Sequence, residues 1–222
     1  MKSVKLNNHY QDEIAANYEA ERMHKKKWHA EHQAVDSFLA SLPDQLSVID
    51  VPAGTGRFFP LYARHQHMVH ARDISDDMLA SARENTVEMI PEPVIKIGDI
   101  MDLDYPENNF DIALCVRLMN LVSPDKFRTA FKELNRVSRR YIILGLRHDG
   151  GRIKQWYKPS GVMQTLRRVR LHLKGKIVVQ SCDGFKRLLT DFDLGIKDKK
   201  MIDKRTDGTE YYIYLLEKKN VG

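Results

Sequence analysis

Apolar residues along the chain fall into short, almost unbroken runs separated by stretches of helical period. Val35, Phe38, Leu39 and Leu42 recur every three or four residues until Pro43 and Asp44 interrupt them, so the first forty-odd residues read as helix. A run from Leu46 to Val51 follows, too short for a helix, then the turn-forming Pro52-Ala53-Gly54-Thr55-Gly56 and a helix over 57–65. The alternation continues with a strand over 68–73 and a helix over 76–88 that carries Met78, Leu79 and Ala82 on one face. Strands over 94–98 and 110–116, a helix over 124–137 opened by Pro124, and a strand over 141–146 come next. A helix over 182–191 and strands over 194–203 and 211–217 complete the pattern, with Thr206-Asp207-Gly208 as a hairpin turn.

Strands that alternate with helices and carry few polar residues belong in a parallel sheet covered on both faces. The pattern therefore predicts an α/β fold: a doubly wound, mostly parallel seven-stranded sheet with a C-terminal antiparallel hairpin and helices on both faces. A chain of 222 residues suits a single domain. Its parts are an N-terminal helical segment over 1–44, a core over 45–146, a basic insertion over 147–181, and a C-terminal helix and hairpin over 182–222.

Charge alters this picture in one place. The net charge is +6, but residues 151–222 hold 17 Lys or Arg against 8 Asp or Glu, a balance of +9 that leaves −3 for the first 150. Between Arg152 and Lys176 there are eight basic residues and no acidic one. Val162, Leu166, Val169 and Leu173 form an apolar stripe there, with Arg167, Arg168, Arg170 and Lys174 on other faces, which describes a basic amphipathic helix. Such a helix suits an anionic small molecule, a membrane surface or RNA, and equally a core-packed role with a solvated face. Trp156 and Tyr157 are too few for a nucleic-acid stacking platform, so nucleic acid ranks behind a small or lipid-like anionic partner.

The opening Met1 to His9 lacks the apolar stretch of a secretion signal, and no apolar run is long enough to span a bilayer, so the expected location is cytoplasmic. Cys115 and Cys182 are too few for a disulfide framework or a Cys-rich zinc site, and no metal is expected. Cys115, inside the apolar run Ile112 to Val116, reads as a small buried hydrophobe.

Open parallel sheets bind ligands beyond the carboxyl ends of their strands, beside the first strand, which is where the loop from Asp50 to Gly56 falls. Gly54 and Gly56 allow a tight turn and close backbone approach, and the following helix is expected to offer its amides. Asp73 ends the second strand 23 residues after Asp50, where a carboxylate can accept from both ribose hydroxyls, while Ser75 and Asp76 are better placed to cap the helix. Asp99 follows the third strand in Ile97-Gly98-Asp99-Ile100, where it can accept from an adenine amino group. A dinucleotide fingerprint would need a third glycine where Phe59 stands, which argues against a nicotinamide-dependent oxidoreductase.

In order and spacing these blocks resemble the class I, seven-stranded, Rossmann-like methyltransferases, over roughly residues 45–146 and more loosely to the C-terminus. Val48-Ile49-Asp50-Val51-Pro52-Ala53-Gly54-Thr55-Gly56-Arg57 is similar to their glycine-rich first motif, and Asp73-Ile74-Ser75-Asp76-Asp77-Met78-Leu79 to the ribose-binding second. Gly98-Asp99-Ile100 looks like the adenine-binding third, and Phe110 to Val116 like the fourth strand. The resemblance implies S-adenosyl-L-methionine as cofactor. It further implies that Asp50 supports the loop and meets the methionine amino group, that Ala53, Gly54 and Gly56 lie against the cofactor, and that Asp73 holds the ribose. Ile74 and Met78 would flank the adenine, Asp99 and Ile100 would meet its edge, and Val116 would lie beside the methionine portion. The chain departs from the motif at Pro52, which replaces its first glycine and has no amide to donate, and at Ala53, where Gly or Cys is frequent.

The implied activity is methyl transfer. A sulfonium already activates its methyl group, so such an enzyme chiefly aligns the acceptor and excludes water, and a general base is optional. No catalytic residue is assigned. Arg117, Asn120, Arg147 and His148, with Asp149, stand at the ends of the fourth and fifth strands as substrate neighbours, and His148 suits either proton removal or a structural role. Tyr18, with Tyr10, Ile14, Ala15 and Arg22, looks like the lid of small-molecule methyltransferases, which implies an ordering of residues 1–30 over the cofactor. Val116-Arg117-Leu118-Met119-Asn120 lacks the Pro-Pro-aromatic signature of enzymes that methylate DNA base amines. The expected acceptor is a small or lipid-like anionic molecule, with peripheral membrane contact as an option. The alternatives are an RNA-modifying enzyme that grips phosphates through residues 152–176, and a cofactor-binding protein without catalysis.

Overall fold

The computed structural model describes residues 25–86, 91–149 and 180–219, in two compact units that meet in sequence at Asp104 and Tyr105. The first unit contains α1 (Lys26–Leu39), β1 (Ser47–Asp50), α2 (Phe59–Arg64), β2 (Met68–Asp73), α3 (Asp76–Glu84) and β3 (Val94–Ile97). The second contains β4 (Phe110–Cys115), α4 (Pro124–Val137), β5 (Ser138–His148), α5 (Cys182–Asp191), β6 (Leu194–Lys204) and β7 (Glu210–Lys218). The seven strands form a mixed sheet in the order β3-β2-β1-β4-β5-β7-β6. The doubly wound reading holds, with the C-terminal antiparallel strands it anticipated.

In the first unit β1 runs parallel to β2 with Ser47 opposite Met68 and Asp50 opposite Ala71, and β2 runs parallel to β3 with Asp73 opposite Ile97. Both register pairs bring the acid-bearing carboxyl ends of β1 and β2 to one side. Val48 and Ile49 are wholly buried, as a central parallel strand requires. β3 differs, since Val94 and Ile97 are exposed, consistent with its place at the sheet edge. The Ser75 hydroxyl caps α3 by accepting from the Met78 amide at 3.3 Å, while Asp76 and Asp77 complement the helix dipole and Met78, Leu79 and Ala82 are buried.

In the second unit α4 starts at Pro124 behind the Ser123 cap and buries Phe127, Ala130, Phe131, Leu134 and Val137, one apolar face at helical period. β4 and β5 are parallel, β5 and β7 antiparallel, and β7 and β6 antiparallel. β5 begins three residues earlier than the apolar run, because exposed Arg139 and Arg140 extend it while pairing with Asp111 and Glu217. The Arg205–Thr209 turn closes the β6–β7 hairpin with Gly208 at φ +84°. Cys115 is buried and Cys182 partly so, with the Cys182 Sγ donating to Asp149 Oδ1 at 3.8 Å.

Candidate functional site

The loop after β1 is built from its own backbone. The Ala53 amide donates to the Arg72 carbonyl at 2.8 Å, Gly54 to the Asp73 carboxylate at 2.9 Å, Gly56 to the Ala53 carbonyl at 3.1 Å and Phe59 to the Gly56 carbonyl at 2.9 Å. Those amides are therefore consumed internally. A loop that spends its donors this way does not resemble a phosphate cradle, where amides point at the anion. This differs from the expectation that the following helix would offer its amides, and α2 further carries Pro60, which has none, in its first turn. Asn85 at the end of α3 fixes the loop by donating to the Thr55 carbonyl at 2.9 Å.

Gly54 and Gly56 both occupy the left-handed region, at φ +57° and +74°. A Cβ on Gly54 would meet nothing within 4 Å, so the backbone there borders open space, whereas one on Gly56 would fall 2.5 Å from the Phe59 ring. Phe59, in place of the third glycine of a dinucleotide fingerprint, thus packs against the loop itself and is wholly buried.

Acids supply what the amides do not. Asp50 is buried; its Oδ2 accepts from the Tyr62 hydroxyl at 3.1 Å, and its Oδ1 has no partner. Burial pushes its carboxyl up to about 7, against the pull of the Tyr62 hydrogen bond and of Arg57. Asp73 accepts from the Gly54 and Ser75 amides at 2.9 and 3.0 Å, and burial likewise raises it despite these bonds. Asp99 is exposed and accepts from the Met101 amide at 2.9 Å in a tight turn. Beside these acids Ile74 is 56% exposed, an apolar side chain left in solvent, whereas Met78 and Ile100 are buried. The first unit therefore gathers every predicted cofactor residue but Val116, which lies buried just after β4 in the second unit.

Three residues escaped the sequence reading of this site. Glu31 of α1 is wholly buried and accepts from Arg57 at 3.0 Å, and the Arg57 guanidinium lies 4.3 Å from the Phe58 ring centroid and 5.4 Å from that of Trp28. Tyr62 is the third. Glu31 had a signal, for it stands four residues before Val35 and seven before Phe38, a carboxylate on the apolar stripe of a helix. Tyr62 had none, since its contact with Asp50 exists only in three dimensions.

In the second unit Arg117 follows β4 at φ +73°, a left-handed conformation that a long side chain seldom adopts and that clusters at functional sites. Asn120 Oδ1 accepts from the Arg147 amide at 2.7 Å and so braces the end of β5. The Arg147 guanidinium is engaged with Asp203 at 2.7 Å and with Thr209. His148 shares a 2.7 Å hydrogen bond with the Tyr214 hydroxyl, and burial lowers its pKa, which favours neutral imidazole. Tyr18 and the basic segment 152–176 lie outside the described residues.

Residues 48–140 match the family model of a methyltransferase domain. Over 95 residues the chain is 39% identical to the phosphatidylethanolamine N-methyltransferase of Cereibacter sphaeroides, an alignment covering 42% of this chain and 45% of that one. Over 92 residues it is 34% identical to the dTDP-4-amino-2,3,4,6-tetradeoxy-D-glucose N,N-dimethyltransferase of Saccharopolyspora spinosa, covering 41% and 35%. The matches thus span less than half the length of these curated relatives. Likeness of fold reaches further: magnesium protoporphyrin IX methyltransferase from Synechocystis PCC 6803, solved with bound SAH, superposes with a TM-score of 0.64 at 19% identity over 89% of this chain and 87% of that one. The order of the strands agrees with this likeness of fold. Over residues 48–140 the chain therefore carries a methyltransferase domain, built on the class I fold.

Proposed function

We propose that this chain binds S-adenosylmethionine at the carboxyl ends of β1 and β2 and transfers its methyl group to an amine on a small or lipid-like molecule that also carries phosphate. The observation that carries the reading is the buried, unpartnered Oδ1 of Asp50, an acceptor that asks for a cationic donor. Asp73, held by two backbone amides, is oriented to receive ribose hydroxyls, and exposed Ile74 offers an apolar face to a base. The amides of Ala53, Gly54, Gly56 and Phe59 are spent within the protein, which disfavours a pyrophosphate there and with it a nicotinamide dinucleotide. The residues present thus fit the cofactor. When bound, it supplies an electrophilic methyl group on a sulfonium.

The acceptor class rests on two supports. Both curated relatives are named for acceptors that combine an amine with a phosphate or diphosphate. The segment 152–176 carries eight cations and no acid, which suits an anionic group. A lipid acceptor would be met at the membrane surface through this segment, from the cytoplasm; among the described residues no helix is long and apolar enough to cross a membrane. His148, kept neutral by burial, is a proton acceptor rather than a fixed cation, in keeping with an amine that must shed a proton.

Calorimetric titration with S-adenosylmethionine and with NADH tests the cofactor, and transfer of labelled methyl groups to phosphatidylethanolamine vesicles and to an amino-sugar nucleotide tests the acceptor. Binding of the first ligand alone is expected. Binding of NADH, or of neither, overturns the reading, and methyl transfer to RNA that collapses between low and moderate salt would replace the acceptor class.

A further inference from the structure

Asp50 does two things with one carboxylate. Its Oδ2 is taken by Tyr62, whose side chain is wholly buried on α2 with its ring 6.5 Å from that of Phe59, so the hydroxyl has a fixed place. Its Oδ1 is buried and has no partner. The charged groups that face it are few. Arg57 is the cation, and its guanidinium already donates to the buried carboxylate of Glu31; Asp73 adds a second negative charge at the end of the neighbouring strand. An ionised Asp50 is therefore short of local countercharge until an ammonium group arrives.

We infer that Tyr62 is a positioning residue acting through Asp50: its hydroxyl turns Oδ1 toward the ligand's amino group and favours the ionised carboxylate, so that affinity falls when Asp50 holds a proton. The inference rests on the proposed binding of S-adenosylmethionine. Its physical basis is that Tyr62 donates only to an acceptor and so stabilises the anion, in opposition to the burial that carries the carboxyl up to about 7. Below that pH an incoming ammonium must displace a proton from Asp50, and each pH unit is then about tenfold in affinity. Above it the carboxylate waits ionised and no proton is released.

The test uses S-adenosylhomocysteine, which retains the amino group, and 5′-methylthioadenosine, which has the nucleoside without it, titrated calorimetrically between about pH 5.5 and pH 8.5. For the wild-type chain the Kd of the first is expected to rise about tenfold per unit below pH 7, with close to one proton released at pH 6, while the Kd of the second stays flat. Tyr62→Phe is expected to move this limb upward by about one pH unit, weakening the first ligand several-fold at pH 7 and little at pH 8.5. A structural role alone would lower affinity by the same factor at every pH. Should Tyr62→Phe not fold, the wild type carries the test through its proton release on binding S-adenosylhomocysteine, close to one at pH 6 and falling away by about pH 8.5. A flat profile for S-adenosylhomocysteine, or a uniform loss in Tyr62→Phe, overturns the inference while leaving the proposed cofactor standing. If neither nucleoside binds at any pH, the cofactor reading fails and the inference with it.

Discussion

Arg147 of β5 reaches across β7 to the Asp203 carboxylate of β6, 2.7 Å away, passing 5.4 Å from the centroid of the Tyr211 ring that stands opposite both in the strand register. A fully buried guanidinium is thereby fastened to the hairpin rather than left to meet an anionic substrate. Its neighbour His148 points its chemistry elsewhere, to Tyr214. Adjacent residues of one strand thus divide between opposite faces of the sheet.

Arg147→Ala is therefore expected to cost stability. Removing one partner of a buried ion pair costs about 3–5 kcal/mol, and the Asp203 side chain, 32% exposed, can recover water, so about 2–3 kcal/mol is the expected loss in urea unfolding. Affinity for S-adenosylhomocysteine should stay within about twofold, since the cofactor residues lie on other strands. Unchanged stability with lost acceptor binding would return Arg147 to the substrate.

At the glycine turn the two glycines should respond differently to alanine. Gly54→Ala adds only the left-handed backbone cost, about 1 kcal/mol, because nothing stands near the new Cβ. Gly56→Ala adds the same cost and a collision with Phe59, for about 2–3 kcal/mol. In a Phe59→Ala background part of the Gly56→Ala cost should vanish, with a coupling of about 1 kcal/mol or more in a double-mutant cycle. Strict additivity would mean that Phe59 yields freely.

These contacts mark the limit of what the sequence discloses. Period and turn residues located each strand and helix among the described residues to within a few positions, because burial imposes its pattern on the residues themselves. Asp50, Asp73 and Asp99 are legible since the first two end strands and the third stands two residues beyond one. The β5 start was hidden because Arg139 and Arg140 are polar yet paired, and the sheet edge at β3 because Val94-Ile95-Lys96-Ile97 reads as buried in sequence. Tyr62 and the spent loop amides depend on contacts across β1, α2 and β2, and no local pattern encodes them.

Asp73 separates orientation from charge. Asp73→Asn keeps one carbonyl acceptor and leaves one of the two amides unpaired, whereas Asp73→Ala releases both the Gly54 and the Ser75 amide. Both should weaken S-adenosylhomocysteine at least about tenfold, and the alanine variant should in addition lose about 1–2 kcal/mol of stability through its unpaired amides. Equal stability of the two variants would show that water replaces the carboxylate without cost.

Asp50→Asn should make the ligand-free protein more stable at alkaline pH while abolishing tight cofactor binding. The Asp50 carboxyl titrates near 7 in the fold against 3.8 ordinarily. Between those values the folded chain holds a proton that the unfolded chain has released, so stability from this group is complete below about pH 4 and is lost as pH rises through about 7. Two units of that window, pH 5 to pH 7, amount to about 3 kcal/mol at most. Asparagine cannot ionise and still accepts from Tyr62, so the difference in Tm between variant and wild type should grow by several degrees in the variant's favour from pH 5 to pH 8. A difference that does not change with pH would place the titration on another group. Growth of the difference, with binding lost, would show a carboxylate retained against the interest of the fold because the ligand's ammonium group needs it.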